Sequence, residues 1–378
     1  RNSCYSVGLR LVFQRPANFF KTWIRAQYAQ TIRGKKRGDA VGDFELIGDS
    51  YHRWVIDNKD ALNLRNSDDF SNLLTGTLPF YVDLYCRIKE AERQLNPVLP
   101  HVFYNGTRDL TLQSMVILSA VKTTDTATDV TKKIRSISYF LDYLATVRVL
   151  NGKENTYDNI RDLIFDLTKE IRGLDAARLR TALVAKIDGE RDWIDSLPRA
   201  SYDGLKRQDL LHLLARLANY LEESLDVTNR VGFADYVDRT RDSRTFDIEH
   251  LLSNDLAKSN ADIAKSGGTE FGSVSDFSAR RSGIGGLILL PRGRNRSMKD
   301  MAYSEKLQRY SGENVLAQTL TESFFLNQPN WAKFEVDSGV TCAALRCADS
   351  GGLDRRADLY LQLASRIWSK AQLESMFQ

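Results

Sequence analysis

Apolar side chains recur every three or four residues through most of the first two-thirds of the chain, and this spacing restricts the fold more than any other feature. Leu73, Leu78, Tyr81, Leu84, Tyr85 and Ile88 form one stripe. Ile134, Ile137, Phe140, Leu141 and Leu144 form a second, and Leu210, Leu211, Leu214, Leu217 and Leu221 a third. A period near 3.6 places such residues on one side of a helix and leaves the other side polar. Pro and Gly, which would interrupt helices, are sparse here, and no segment repeats at a fixed interval. Residues 1–235 are therefore expected to form a helical domain.

The texture changes near residue 230. FDIEHLL (246–252) and GIGGLILLP (283–291) are short apolar runs, the second flanked by glycine and stopped by Pro291, and both suit strands. Residues 257–283 are rich in Ser, Gly and Asp without a steady period and read as a long loop. Residues 292–310 turn into a basic amphipathic helix, and 314–326 and 354–377 into two further helices. The order strand, loop, strand, helix defines an expected second domain, 236–378, of small α+β type with extra helices, in a chain that is mostly α. With 378 residues, 42% apolar and 27% charged, there is core material for two domains.

Charge is unevenly spread. Within 280–309 eight Lys and Arg stand against two acids, a local excess of +6 in a chain whose formal net charge is +4. An ordinary solvated face mixes its signs, so this clustering favours a phosphate-facing surface. Beside it lies His250, one of four histidines, directly after Glu249 and three residues after Asp247. It is either a catalytic acid/base next to a metal ligand or a strand end with its polar groups satisfied. Phosphodiester cleavage needs a base that titrates near neutrality. It also needs a divalent ion held by an acidic and an amide side chain, and cations for the flanking phosphates. FDIEHLL followed by GIGGLILLPRGRNRS holds these residue types in that order.

The remaining candidates carry weaker signals. His212 falls opposite its leucine stripe and is expected at the surface, while His52 and His101 have no carboxylate or cysteine at ligand spacing and read as structural. Cys4, Cys86, Cys342 and Cys347 form no CxxC pair and read as reduced thiols. RGKKRG (33–38) is either a phosphate-gripping loop or a solvated turn. No apolar run is long enough to span a bilayer and no secretory signal opens the chain, so a cytoplasmic location is expected.

The segment 246–310 resembles the HNH, or ββα-metal, nuclease domain at the C-terminus of GmrSD-type restriction endonucleases, which attack modified foreign DNA. That family shows D-I-E-H-I-L-P in one strand and G-N-L-x-L-L in the next. An Asn follows near the start of the last helix, with a Tyr and a Lys farther along. The matching residues are Asp247, Ile248, Glu249, His250, Leu251 and Leu252, then Gly285, Leu287, Leu289 and Leu290, then Asn295, Ser297, Tyr303 and Lys306. LDRRADLYLQLASRIW (353–368) is similar to the family's closing helix.

The resemblance implies a Mg2+- or Mn2+-dependent endonuclease that nicks or cleaves double-stranded DNA in defence against phage. His250 would be the general base, Glu249 and Asn295 the metal ligands, and Asp247 a residue that ligates or orients. Arg292, Arg294, Arg296, Lys299 and Lys306 are expected to contact DNA phosphates. Two positions depart from the pattern: Gly286 replaces the middle Asn of the HNH triplet, and Ser253 the Pro after the histidine strand. Such proteins usually carry an N-terminal NTPase-like domain with a D-G-Q-Q-R motif. Neither that motif nor GxxxxGK[ST] occurs here, and the first residue is Arg1, so a C-terminal piece of a longer protein is expected, an SspE-type relative being one identity. The alternatives are a catalytically degenerate DNA-binding or scaffold module, which Gly286 favours, and an RNase-type toxin with the same site.

Overall fold

The computed structural model describes residues 16–32, 41–190, 194–239 and 245–378; Cys4 and the 33–38 run lie outside them. The described residues are mostly helical, with one two-stranded sheet. The chain divides into two compact units, Arg1–Ala145 with Glu154–Glu190 and Leu373–Gln378, and Thr146–Lys153 with Arg191–Gln372. The boundary expected near residue 235 thus falls inside the second unit. Its helix Arg207–Ser224 is buried on nearly every side and packs on the second strand and on the helix Ser350–Ile367. The same packing corrects the reading of His212, which is 3% exposed, its ring 5.1 Å from that of Phe233.

In the first unit the apolar stripes are buried as their period requires, at Tyr81, Leu84, Tyr85 and Ile88 and again at Ile134, Ile137, Phe140 and Leu141. The first stripe is not one helix. Ser67–Asn72, capped by Asn66, passes through a single π-turn, Leu73–Thr77, into Leu78–Arg93. Pro79 sits in the first turn of that last helix, where its missing N–H costs nothing.

The second unit is built around the sheet. Strand β1 (Phe246–His250) runs antiparallel to β2 (Leu287–Pro291), with Phe246 opposite Pro291 and His250 opposite Leu287. The Arg292 N–H donates to the Thr245 carbonyl at one end and the Leu251 N–H to the Gly286 carbonyl at the other. Odd-numbered residues of β1 therefore hold the inter-strand bonds, and even-numbered carbonyls point away from the partner. Four outward carbonyls, two on each strand, are met by side chains. Asn295 Nδ2 donates to Ile248 O at 3.0 Å and Lys306 Nζ to His250 O at 2.7 Å on the β1 edge. Asn314 Nδ2 donates to Leu289 O at 2.6 Å and the Tyr360 hydroxyl to Leu287 O at 2.8 Å on the β2 edge.

Side chains alternate across the ribbon. Ile288 and Leu290 pack with Leu251, Met298, Tyr303 and Tyr310 on one face, the face that carries Asp247 and Glu249. Phe246, Ile248, His250, Leu287 and Leu289 lie on the other.

Two expectations about the flanking segments are corrected. Residues 257–283 hold the helices Leu256–Lys265 and Val274–Ser282, capped by the side chains of Asp255 and Ser273. Ser and Asp, read as loop formers, serve here as N-caps. Residues 292–310 break into Arg292–Met298 and Tyr303–Tyr310, so that Met298 and Tyr303 both enter the core. Downstream, 314–326 holds two short helices, Val315–Gln318 and Glu322–Asn327, followed by Trp331–Ser338. The closing helix is Ser350–Ile367, with Lys370–Ser375 after it.

The turn before β2 explains its glycines. A Cβ on Gly285 would lie 2.0 Å from the Leu353 carbonyl oxygen, and one on Gly286 2.5 Å from the Arg281 carbonyl oxygen. Backbone atoms cannot retreat as a flexible side chain would, so neither position has room for a side chain. An asparagine at 286 is excluded by this approach.

Lys306 closes the β1 edge and also holds Glu249. Both side chains are buried, and Nζ lies 2.5 Å from Glu249 Oε1. Lys306→Met should leave an unpaired carboxylate in the core and lower the unfolding free energy in urea by about 3–5 kcal/mol. Lys306→Met combined with Glu249→Leu should recover much of that loss. Equal losses in the single and double variants would contradict the pairing.

Candidate functional site

His250 ends β1. Its ring centroid is 4.8 Å from that of Tyr202, and its Nε2 is buried without a hydrogen-bond partner among the described residues. Burial, helped by the nearby positive charges of Arg281 and Lys306, pushes the imidazole pKa down to about 4, while Asp203 opposes the shift. At neutral pH the ring is therefore neutral, and a pKa this low makes it a weaker base than one titrating near neutrality.

The backbone around His250 is fixed by its neighbours. Lys306 holds the His250 carbonyl, Gly286 accepts from Leu251 N, and Arg281 Nε donates to the carbonyls of Leu252 and Ser253 at 3.2 and 2.9 Å. Arg281 counted only as part of the basic cluster in the sequence, and Tyr202 and Asp203 carried no signal there. Their neighbourhood follows from the bridge between Ser201 and Gly283 and the bond from Tyr202 N to the Ser282 carbonyl, which tie the 201–204 turn to the end of Val274–Ser282.

The expected metal ligands do not converge. Glu249 and His250 are adjacent in sequence and so face opposite sides of the ribbon. Glu249 is 4% exposed, and the Lys306 ammonium already occupies the place a cation would take. Burial raises the Glu249 carboxyl pKa and lowers that of the Lys306 amine, each countered in part by the other's charge. Asp247 pairs with Arg207 and accepts from Ile248 N at 2.7 Å. Asn295 is half-buried and gives its Nδ2 to the Ile248 carbonyl. Among the described residues no three His, Cys, Asp or Glu side chains come together as a metal site. The residues present therefore do not fit a divalent ion held by Glu249 and Asn295.

Of the expected phosphate contacts, Arg292, Arg294, Arg296 and Lys299 are exposed, and Arg294 has Glu313 3.4 Å away. Lys306 is a correction. It is fully buried and spent on Glu249 and the His250 carbonyl, so it cannot reach a phosphate. His101 is buried with Nδ1 3.0 Å from Asp142 Oδ2, and His52 is exposed. Cys86, Cys342 and Cys347 are free thiols. No described helix is long and apolar enough to cross a membrane. Comparison with protein-family models, curated proteins and solved structures yielded no match.

The depressed pKa has a thermodynamic consequence. Unfolded, His250 titrates near 6.5; folded, near 4. Between these values the unfolded chain binds more protons, so stability is complete above pH 6.5 and falls as the pH drops toward 4. In a side-chain NMR titration His250 should stay neutral at pH 5.5, and His250→Gln should flatten the fall in unfolding free energy between pH 6.5 and 4. A midpoint near 6.5 would contradict this burial.

Proposed function

We propose that the second unit is a ββα-type endonuclease acting on double-stranded DNA, with His250 as the base that takes a proton from water. One observation carries the reading. An antiparallel strand pair runs directly into the helix Arg292–Met298, and Asn295 on that helix reaches back to the Ile248 carbonyl, two residues before a neutral histidine. This is the strand, strand, helix order that the resemblance implies. The exposed Arg292, Arg296 and Lys299 on the same helix or just beyond it supply cations for neighbouring phosphates.

In this scheme a ring nitrogen of His250 takes a proton from water as the water oxygen bonds to phosphorus and the P–O bond to the leaving oxygen breaks, and the arginines offset charge developing on the phosphate oxygens. No step is routed through a metal ion, because the ligands expected to hold one do not converge. A role in defence against phage or foreign DNA belongs to the same proposal and rests on the resemblance.

A second reading has an observation in its favour. Lys306 seals Glu249, and the His250 Nε2 is buried beside the Tyr202 ring, as suits a module that binds DNA without cutting it. Supercoiled plasmid incubated with the protein, in Mg2+, in Mn2+ and in EDTA, separates the two. The nuclease reading expects nicking that falls by at least about 100-fold in His250→Ala, with DNA binding retained. Nicking unchanged in that variant overturns His250 as base. Binding without nicking under all three conditions favours the non-catalytic module, and cleavage confined to RNA favours the toxin reading.

A further inference from the structure

A cleft of about 480 Å3 opens in the second unit where β1 begins, lined by Arg207, Arg239, Arg292, Asp247, Thr245 and Tyr236 among others. The three arginines come from three separate places in the chain. Arg207 opens the helix Arg207–Ser224, Arg239 follows the short helix Phe233–Val237, and Arg292 opens the helix after β2. All three are exposed. Arg292 is fixed at the mouth by its N–H bond to the Thr245 carbonyl, 2.9 Å long. Asp247 and Asp238 are the carboxylates on the wall, and Asp247 is already engaged by Arg207 and by the Ile248 N–H.

Guanidinium groups present planar forks of donors that match phosphate oxygens in pairs. Three arginines against the two aspartates on the described wall keep a net positive charge in the recess. The aromatic side chains in the described lining are Tyr236, fully buried with its hydroxyl on Glu222 at 2.6 Å, and Phe246, also buried. Among the described residues no exposed ring lines it to stack a base, so the cleft suits the backbone of a nucleic acid rather than its bases.

We infer that this cleft seats backbone phosphates of a DNA strand bound to this unit. Arg207, Arg239 and Arg292 are its phosphate ligands. The inference rests on the nucleic-acid reading of this unit but not on catalysis. Of the three, only Arg292 belonged to the basic cluster seen in the sequence; Arg207 and Arg239 join it through the fold.

The test is fluorescence anisotropy of a labelled 20-base-pair duplex in EDTA, titrated with NaCl. The comparison is between the wild type, Arg207→Ala, Arg239→Ala and Arg292→Ala singly and together, and a control combining Arg230→Ala, Lys333→Ala and Arg346→Ala on exposed cations outside the cleft. Each cleft arginine removed should reduce the slope of log K against log salt by about 0.9, and the control should leave it unchanged. The single variants, on exposed side chains, give this reading even if the triple variant does not fold.

Slopes unchanged in the cleft variants, or reduced equally in the control, overturn the inference. If inorganic phosphate binds the wild type and not the triple variant while the duplex binds both alike, the cleft holds free phosphate and the inference is also overturned. Reduced slopes in a protein that never nicks DNA would sustain the cleft and refute the nuclease. Nicking that depends on His250 with unaltered slopes would do the reverse.

Discussion

A two-stranded ribbon has two open edges, and the second unit is organised around closing them. Isolated strand pairs are marginal in water because half of their backbone groups have no partner across the sheet. Buried without partners, each such carbonyl would cost about 1–3 kcal/mol. Here the outward carbonyls of Ile248, His250, Leu289 and Leu287 receive Asn295, Lys306, Asn314 and Tyr360. The four donors come from four different helical segments downstream of or beyond β2. Placing them fixes how those segments wrap the ribbon, and the apolar packing of Met298, Tyr303 and Tyr310 follows from the same placement.

Lys306 has the greatest influence on the chemistry. By entering the core it satisfies the His250 carbonyl and neutralises Glu249 at once. Glu249 is thereby a structural residue, and the site is left with a neutral histidine on the opposite face. The brace for that histidine is made from backbone and cations, through Gly286 O, Lys306 and Arg281. Gly286 follows from this crowding: the helix end at Arg281 passes too close for any Cβ.

The parts of this architecture legible in the sequence are those governed by local period. The helical stripes around Tyr81–Ile88 and Ile134–Leu141 and both strands lie where the apolar spacing put them. What the period could not supply was the identity of partners. Lys306 reads as one more charge in a basic helix until its partner, 57 residues upstream, is known. His212 falls off its leucine stripe, yet Phe233 covers that side of the helix as well. Ser273 and Asp255 signal helix starts and loops equally well, because both uses exploit the same side-chain bond to backbone N–H. Sequence adjacency also misleads in a strand, since neighbours such as Glu249 and His250 are separated by the sheet itself.

Native-state hydrogen exchange tests the central claim most directly, that the capped ribbon is the least yielding part of the second unit. The amides of Glu249, Leu251 and Ile288 should exchange only through global unfolding of that unit, with an opening free energy equal to its unfolding free energy in denaturant. Exchange of these amides at markedly lower free energy, with the surrounding helices still protected, would show that the side-chain caps do not hold the ribbon and would contradict the account.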